Sequence, residues 1–177
     1  NLTALAKAKG VAIRDLTAVV LDRPRHDDLI AKIRGTGARI RLIRDGDVAG
    51  AIATARPDSG VDILFGVGGT PEGVITAAAM KCMGGDLQGR LYARDPEERA
   101  SAEAEGYDFD QILTMDDLVR SDDCFFAATG ISTGDLLRGV TYSQNRVHTQ
   151  SLVMRNRSGT VRVIEADHSM EKMDAII

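Results

Sequence analysis

Three times in its first half, this chain passes from a short strand-length run directly into a polar or glycine-rich turn and then into a helical pattern. Leu16-Thr17-Ala18-Val19-Val20-Leu21 is the first run and carries no charge; Arg39-Ile40-Arg41-Leu42-Ile43 and Val61-Asp62-Ile63-Leu64-Phe65 are the second and third. The continuous rather than alternating apolarity of the first run suits a strand buried on both faces. Repeated alternation of strand and helix predicts an α/β fold, a sheet covered by helices on both sides.

The helical segments carry start and stop signals. Asn1 to Gly10 reads as the end of a helix, with Gly10 as its stop. Asp27 or Asp28 is expected to cap a helix through Leu29, Ile30 and Ile33 that ends near Gly35 and Gly37. Val48 to Ala55 is a helix of small residues. In the third unit Thr70 is the expected N-cap and Pro71 the first helical residue, with Val74, Ile75, Ala78, Ala79 and Cys82 sharing one face. Leu87 to Tyr92 is a strand candidate, Asp95 to Glu105 a solvated helix, and Cys124 to Thr129 a strand ending in Gly130. Past Gly139 the period falls to about two, through Val140, Arg146 to Met154 and Thr160 to Ile164, with Asn156-Arg157-Ser158-Gly159 as a turn. That predicts a terminal antiparallel hairpin. The 177 residues hold no repeat, low-complexity tract or linker, so a single α/β domain over residues 1–177 is expected.

Composition removes several function classes. A net charge of −4 leaves no global field to attract nucleic acid or an anionic membrane, so any phosphate site must be local. Aromatic residues make up 4% and Trp is absent, which disfavours base-stacking platforms and makes the core aliphatic. Cys82 and Cys124, the only cysteines, form neither a CxxC motif nor a disulfide framework, which fits a reducing cytoplasm. No apolar run approaches the roughly 20 residues needed to cross a bilayer. The start at Asn1, without an initiator Met or a basic leader, is expected of a processed chain or a piece of a longer one.

Chemistry concentrates in the three strand-to-helix turns. Gly66-Val67-Gly68-Gly69-Thr70-Pro71-Glu72 can bring backbone amides and a helix N-terminus close to an anion or sugar phosphate, or can simply be a tight turn. It is neither a P-loop nor a dinucleotide fingerprint. Glu72 in the first helical turn suits the helix dipole, a ligand role, or both. Asp22-Arg23-Pro24-Arg25-His26 holds two guanidiniums beside a stiff proline, able to grip a phosphate or to rest in solvent. His26 is read as a third contact or a cap. Asp45-Gly46-Asp47 places paired carboxylates where they could accept from sugar hydroxyls, bind a hard cation, or cap a helix. Cations, carboxylates and an amide nest on three equivalent turns together describe a phosphorylated-sugar pocket. His148 and His168 lack zinc-ligand spacing, and Cys82 reads as core.

At these turns the sequence resembles the class II, bacterial-type fructose-1,6-bisphosphatases. The resemblance rests on LDRPRH (21–26), RDGDVAGAI (44–52), GVGGTPEGVITAAAMKCMGG (66–85) and CFFAATGISTGDLLRGV (124–140). Asp47-Val48-Ala49-Gly50 is also similar to an element of the wider lithium-sensitive, inositol-monophosphatase-like phosphatases. The resemblance implies a layered α/β/α sandwich of that type. It implies metal-dependent hydrolysis of the 1-phosphate of fructose 1,6-bisphosphate in gluconeogenesis, with Mn2+ or Mg2+ as cofactor, in a cytoplasmic homo-oligomer; a noncatalytic sugar-phosphate-binding regulatory domain is the alternative. By the same resemblance Arg23, Pro24 and Arg25 match a phosphate-holding segment, Asp45, Gly46 and Asp47 the substrate-contacting DGD, Gly69 a backbone contact and Glu72 a metal ligand. Arg23 stands where the family commonly has Lys. The family's other metal ligands lie in an N-terminal half, including a DPxDGT-type segment that has no counterpart here. Asn1 would then fall near the middle of a family member, and the missing half is the expected partner of this one.

Overall fold

The computed structural model describes residues 1–174. Three parallel strands, β1 (Thr17–Leu21), β2 (Arg39–Ile43) and β3 (Ile63–Phe65), form a sheet in the order β2-β1-β3, with Ala18 opposite both Ile40 and Ile63. Successive strand side chains point to opposite faces, so the middle strand must be apolar throughout. Ala18, Val19, Val20 and Leu21 are all buried, whereas edge strand β2 leaves Arg39 and Arg41 exposed.

Different helices cover the two faces. α1 (Leu2–Lys9) and α2 (Asp27–Gly35) pack Leu2, Ala6, Ile30 and Ile33 against Leu16, Ala18 and Val20. α3 (Asp47–Thr54) lies on the opposite face, so close that a β-carbon on Gly50 would stand 2.9 Å from Leu64 Cδ1, 3.1 Å from Ile43 Cδ1 and 3.3 Å from Val19 Cγ1. α4 (Thr70–Met83) runs beside α3 and shares a second core with it, in which Ile52, Ala79 and Cys82 meet Phe126, Leu137, Leu152 and Met154.

Those last residues belong largely to an antiparallel sheet of β6 (Phe125–Thr129), β7 (Thr141–Ser143), β8 (Arg146–Arg155) and β9 (Thr160–Ser169). β8 pairs with β9 along its whole length, from Arg146 opposite Ser169 to Arg155 opposite Thr160, and with β6 and β7 on its other side. Between β6 and β7 the chain doubles back: Val140 N donates to Ile131 O at 3.0 Å and Gly139 N to Thr133 Oγ1 at 3.1 Å. A short pair, β4 (Gln88–Gly89) with β5 (Leu113–Thr114), and helices α5 (Pro96–Ala104), α6 (Met115–Leu118) and α7 (Met170–Asp174) complete the described chain. The architecture is mixed α/β, with one parallel and two antiparallel sheets. No described helix is long and apolar enough to cross a membrane.

Several local expectations change. α4 starts after Gly69, which takes the N-cap position, so Thr70 and Pro71 are its first residues rather than cap and first residue. Its buried side is Thr76, Ala77, Ala79, Met80 and Cys82, while Val74 and Ile75 are 37% and 49% exposed. The reason is tertiary: α3, β6 and α6 pack against the helix, and Lys81 reaches Asp116 Oδ1 at 2.7 Å and Val119 O at 2.8 Å. Asp27 and Asp28 lie inside the first turn of α2, where the dipole favours them, and neither caps it; His26 holds that position without a side-chain cap bond. The strand expected over Leu87 to Tyr92 shrinks to two residues because β5 offers only two to pair with. The terminal strand extends past Ile164 to Ser169, since β8 supplies partners that far.

Candidate functional site at the carboxyl edge of the parallel sheet

Because β1, β2 and β3 are parallel, the turns 22–26, 44–46 and 66–69 leave the sheet at the same edge. The chain leaves β1 for α2 on one face and reaches α3 and α4 on the other side, so the first and third turns diverge between β1 and β3. Such a crevice, beyond the carboxyl ends of strands at a change of winding direction, is where open α/β sheets hold ligands.

His26 crosses that crevice. Its ring is 1% exposed, Nδ1 donates to Leu21 O at 2.9 Å, and Nε2 accepts from Val67 N at 2.9 Å. A carbonyl can only accept and an amide only donate, so the ring carries its proton on Nδ1. Gly66 borders the ring: a β-carbon there would lie 3.4 Å from Cε1. Arg25 adds a second link, Nε donating to Val67 O at 3.0 Å. His26 thus holds the N-cap position of α2, but its buried ring makes no cap bond and offers no third contact: Nδ1 ties it to the end of β1, and Nε2 joins the first turn to the third. Sequence spacing gave no sign of this, because Val67 lies 41 residues away.

The second turn also reaches the third. Gly46 adopts φ 77°, a left-handed conformation natural to glycine, and starts α3 so that Asp47 is its first residue. Asp47 Oδ1 accepts from Val48 N at 3.0 Å, while Oδ2 lies 3.1 Å from where a β-carbon on Gly68 would stand. Glu72 folds back over its own turn, occupying the space a side chain at Gly69 would need. Both neighbouring glycines thus make room for a carboxylate. Asp45 and Arg23 are exposed; Arg23, held in extended backbone before Pro24, has only a long 3.5 Å contact to Asp22 O.

No described ion pair engages Arg23, Arg25, Asp45, Asp47 or Glu72, whereas Lys9, Lys81, Arg138 and Arg155 elsewhere each hold a carboxylate. The edge therefore presents guanidiniums on one turn, carboxylates on the next and close-approach glycines on the third, with their charges unspent. Such a set can grip a phosphate and accept hydroxyl protons from a sugar.

A metal finds only part of a site here. Glu72 offers a hard oxygen donor, but the described residues contain no group of three His, Cys, Asp or Glu side chains able to hold an ion. His148 pairs with Asp167, and His168 Nε2 meets Thr149 Oγ1 at 3.0 Å, both on the β8–β9 ribbon. A cavity of about 500 Å³ lies elsewhere, lined by Arg41, Arg56, Met83, Asp135 and Leu136, and its Arg41 is already neutralised by Asp135.

Residues 1–168 match the family model described as bacterial fructose-1,6-bisphosphatase, glpX-encoded. The chain is 40% identical over 190 aligned residues to a fructose-1,6-bisphosphatase class 2 of Haemophilus influenzae, covering 100% of this chain and 57% of that one. It is 41% identical over 187 residues to fructose-1,6-bisphosphatase 1 class 2 of Escherichia coli K12, covering 98% of this chain and 56% of the relative. It thus spans about half the length of the curated relatives it matches. On the extent of that match, the chain belongs to the bacterial fructose-1,6-bisphosphatase family.

Proposed function

We propose that this chain is the substrate-holding part of a metal-dependent hydrolase that converts fructose 1,6-bisphosphate to fructose 6-phosphate and phosphate, a gluconeogenic step. The observation that carries the reading is the convergence of three chemically different turns on one sheet edge, joined by His26, Arg25 and Asp47. Arg23 and Arg25 hold the phosphate that is not cleaved, Pro24 fixing the backbone between them. Asp45 and Asp47, placed around Gly46, accept from sugar hydroxyls. Gly69 gives the substrate a backbone contact, and Glu72 gives one ligand to Mn2+ or Mg2+. When bound, the divalent ions acidify a water and neutralise charge on the transferring phosphoryl group.

In this reading the remaining ligands come from the part of the family's chain that the 177 residues do not cover, completing a layered α/β/α sandwich that works in the cytoplasm as a homo-oligomer. Residues 1–177 form one domain of that enzyme. The lack of a three-ligand group among the described residues favours a second reading, a noncatalytic sugar-phosphate-binding domain.

Two measurements separate them. Calorimetry with fructose 1,6-bisphosphate on the purified chain should show binding, and phosphate release by it should stay at background with or without Mn2+ or Mg2+. The same chain completed with the remaining part of a family member should release phosphate only with metal. Binding without release by the completed protein selects the second reading, whereas vigorous turnover by the 177 residues alone overturns the division of labour.

A further inference from the structure

The two cysteines, unremarkable in sequence, face each other in the fold. Cys82 lies near the end of α4 and Cys124 immediately before β6, and their sulfurs are 3.9 Å apart. Their hydrogen bonds interlock: Cys82 Sγ donates to Cys124 O at 3.6 Å and Cys124 Sγ to Ala78 O at 3.9 Å. Cys124 O also accepts from Asn156 N at 3.0 Å, which holds that backbone in place. The chain has no other cysteine, so each thiol has one possible partner within the molecule. A disulfide requires sulfurs about 2.05 Å apart. A closure of roughly 2 Å is within reach of side-chain rotation and a small slide of the helix end, where Gly84 and Gly85 terminate α4.

We infer that Cys82 and Cys124 are a site of reversible intramolecular disulfide formation by peroxide, fastening the end of α4 to β6. The two thiols differ in the way a two-step oxidation needs. Cys124 is half-buried, Cys82 3% exposed. Burial, with Cys124 alongside, pushes the Cys82 thiol up to about 11, so it stays protonated and is shielded from direct oxidation. The Cys124 sulfur attacks the peroxide: an S–O bond forms, the O–O bond breaks, the sulfur is oxidised to sulfenic acid, and the departing hydroxide takes the proton of the Cys124 thiol and leaves as water. The Cys82 sulfur then displaces the sulfenic hydroxyl; the S–S bond forms, the S–O bond breaks, and the hydroxyl leaves with the Cys82 proton as a second water. The net change is two thiols and one hydrogen peroxide to one disulfide and two waters. The helix fastened in this way begins at Thr70, next to Gly69 and Glu72, so the oxidation state at one end fixes a helix whose other end carries the candidate site.

The test is stoichiometric. The purified 177-residue chain is treated with a small molar excess of hydrogen peroxide, alkylated under denaturing conditions and mapped by mass spectrometry. Both thiols should disappear together, a single linked peptide pair containing Cys82 and Cys124 should appear in the monomer, dithiothreitol should restore both, and Tm should rise in the oxidised form. In Cys124→Ser the buried Cys82 should remain alkylatable after the same treatment. In Cys82→Ser, Cys124 should be trapped as sulfenic acid by dimedone. Two thiols still alkylatable in the wild-type chain, Cys124 carried on to sulfinic acid without a link, or a disulfide formed only between chains would each overturn the inference.

Discussion

Replacing His26 by Leu keeps most of the ring's volume and removes both of its hydrogen-bonding nitrogens. Two bonds of 2.9 Å disappear, leaving Leu21 O at the end of a buried strand and Val67 N in the glycine-rich turn without these partners. A buried polar group stripped of its partner costs about 1–3 kcal/mol, and Val67 is half-buried, so water recovers part of its share. The net loss should be about 2–4 kcal/mol, a large part of the roughly 5–15 kcal/mol that holds a domain folded. For a chain of this size that lowers Tm by roughly 4–16 °C. Thermal denaturation followed by circular dichroism measures the loss, and hydrogen exchange locates it: the Val67 amide should change from protected to rapidly exchanging. His148→Leu, at a ring whose side chain is 40% exposed, is the control and should stay within about 0.5 kcal/mol. A Tm for His26→Leu within about 2 °C of wild type, with Val67 protection unchanged, would refute the role assigned to the ring.

Arg25→Ala should weaken binding of inorganic phosphate and fructose 1,6-bisphosphate about tenfold to a hundredfold, with little change in Tm because the side chain is exposed; unchanged calorimetric affinity would move the phosphate grip elsewhere. Glu72→Gln, in the chain completed with the rest of a family member, should abolish most metal-dependent turnover, and activity within about threefold of wild type at limiting Mn2+ would reduce Glu72 to a helix-dipole residue. Gly139→Ala should cost about 3 kcal/mol in urea denaturation, since its β-carbon would stand 2.5 Å from Thr133 N and 2.6 Å from Ser132 C, while Gly134→Ala, with open space around it, should be nearly neutral. For Asp62, burial raises the carboxyl's pKa, but the Lys9 ammonium, the Thr17 N–H at 2.7 Å and the Lys9 and Arg39 charges outweigh it and hold it below the ordinary value. Its stabilisation is therefore complete above the unfolded carboxyl's pKa of about 3.9 and lost as pH falls through the lower folded value; Asp62→Asn should flatten that acid limb of a Tm-against-pH curve, and an unaltered limb would disprove the linkage.

Much of the sheet edge is legible in the chain because its turns follow strands by fixed local rules: a short, mostly apolar run, then a turn, then a helix. Arg23, Arg25, Asp45, Asp47, Gly69 and Glu72 all fall on the expected edge, since parallel pairing alone sends the three turns to the same side. What local pattern does not encode is which side of a helix finds a neighbour. Val74 and Ile75 look like core by composition, yet β6 and α6, more than thirty residues downstream, occupy other flanks of α4. His26 and the Cys82–Cys124 pair were hidden for the same reason, their partners being 41 and 42 residues away. Asn156-Arg157-Ser158-Gly159 was readable as a turn, but the length of the strands around it is fixed by their pairing.

The contrast between the ribbon and the site edge has a consequence for the order of assembly. β8 and β9 need only a four-residue turn to meet, and closing so short a loop is fast and entropically cheap. The links across the crevice, Arg25 to Val67 and His26 to Val67, close loops of 42 and 41 residues, and β3 must already lie beside β1 for them to form. Long-range contacts of this kind repay their entropy late. By this loop-closure argument the ribbon is expected to form early on the folding path and the candidate-site edge late.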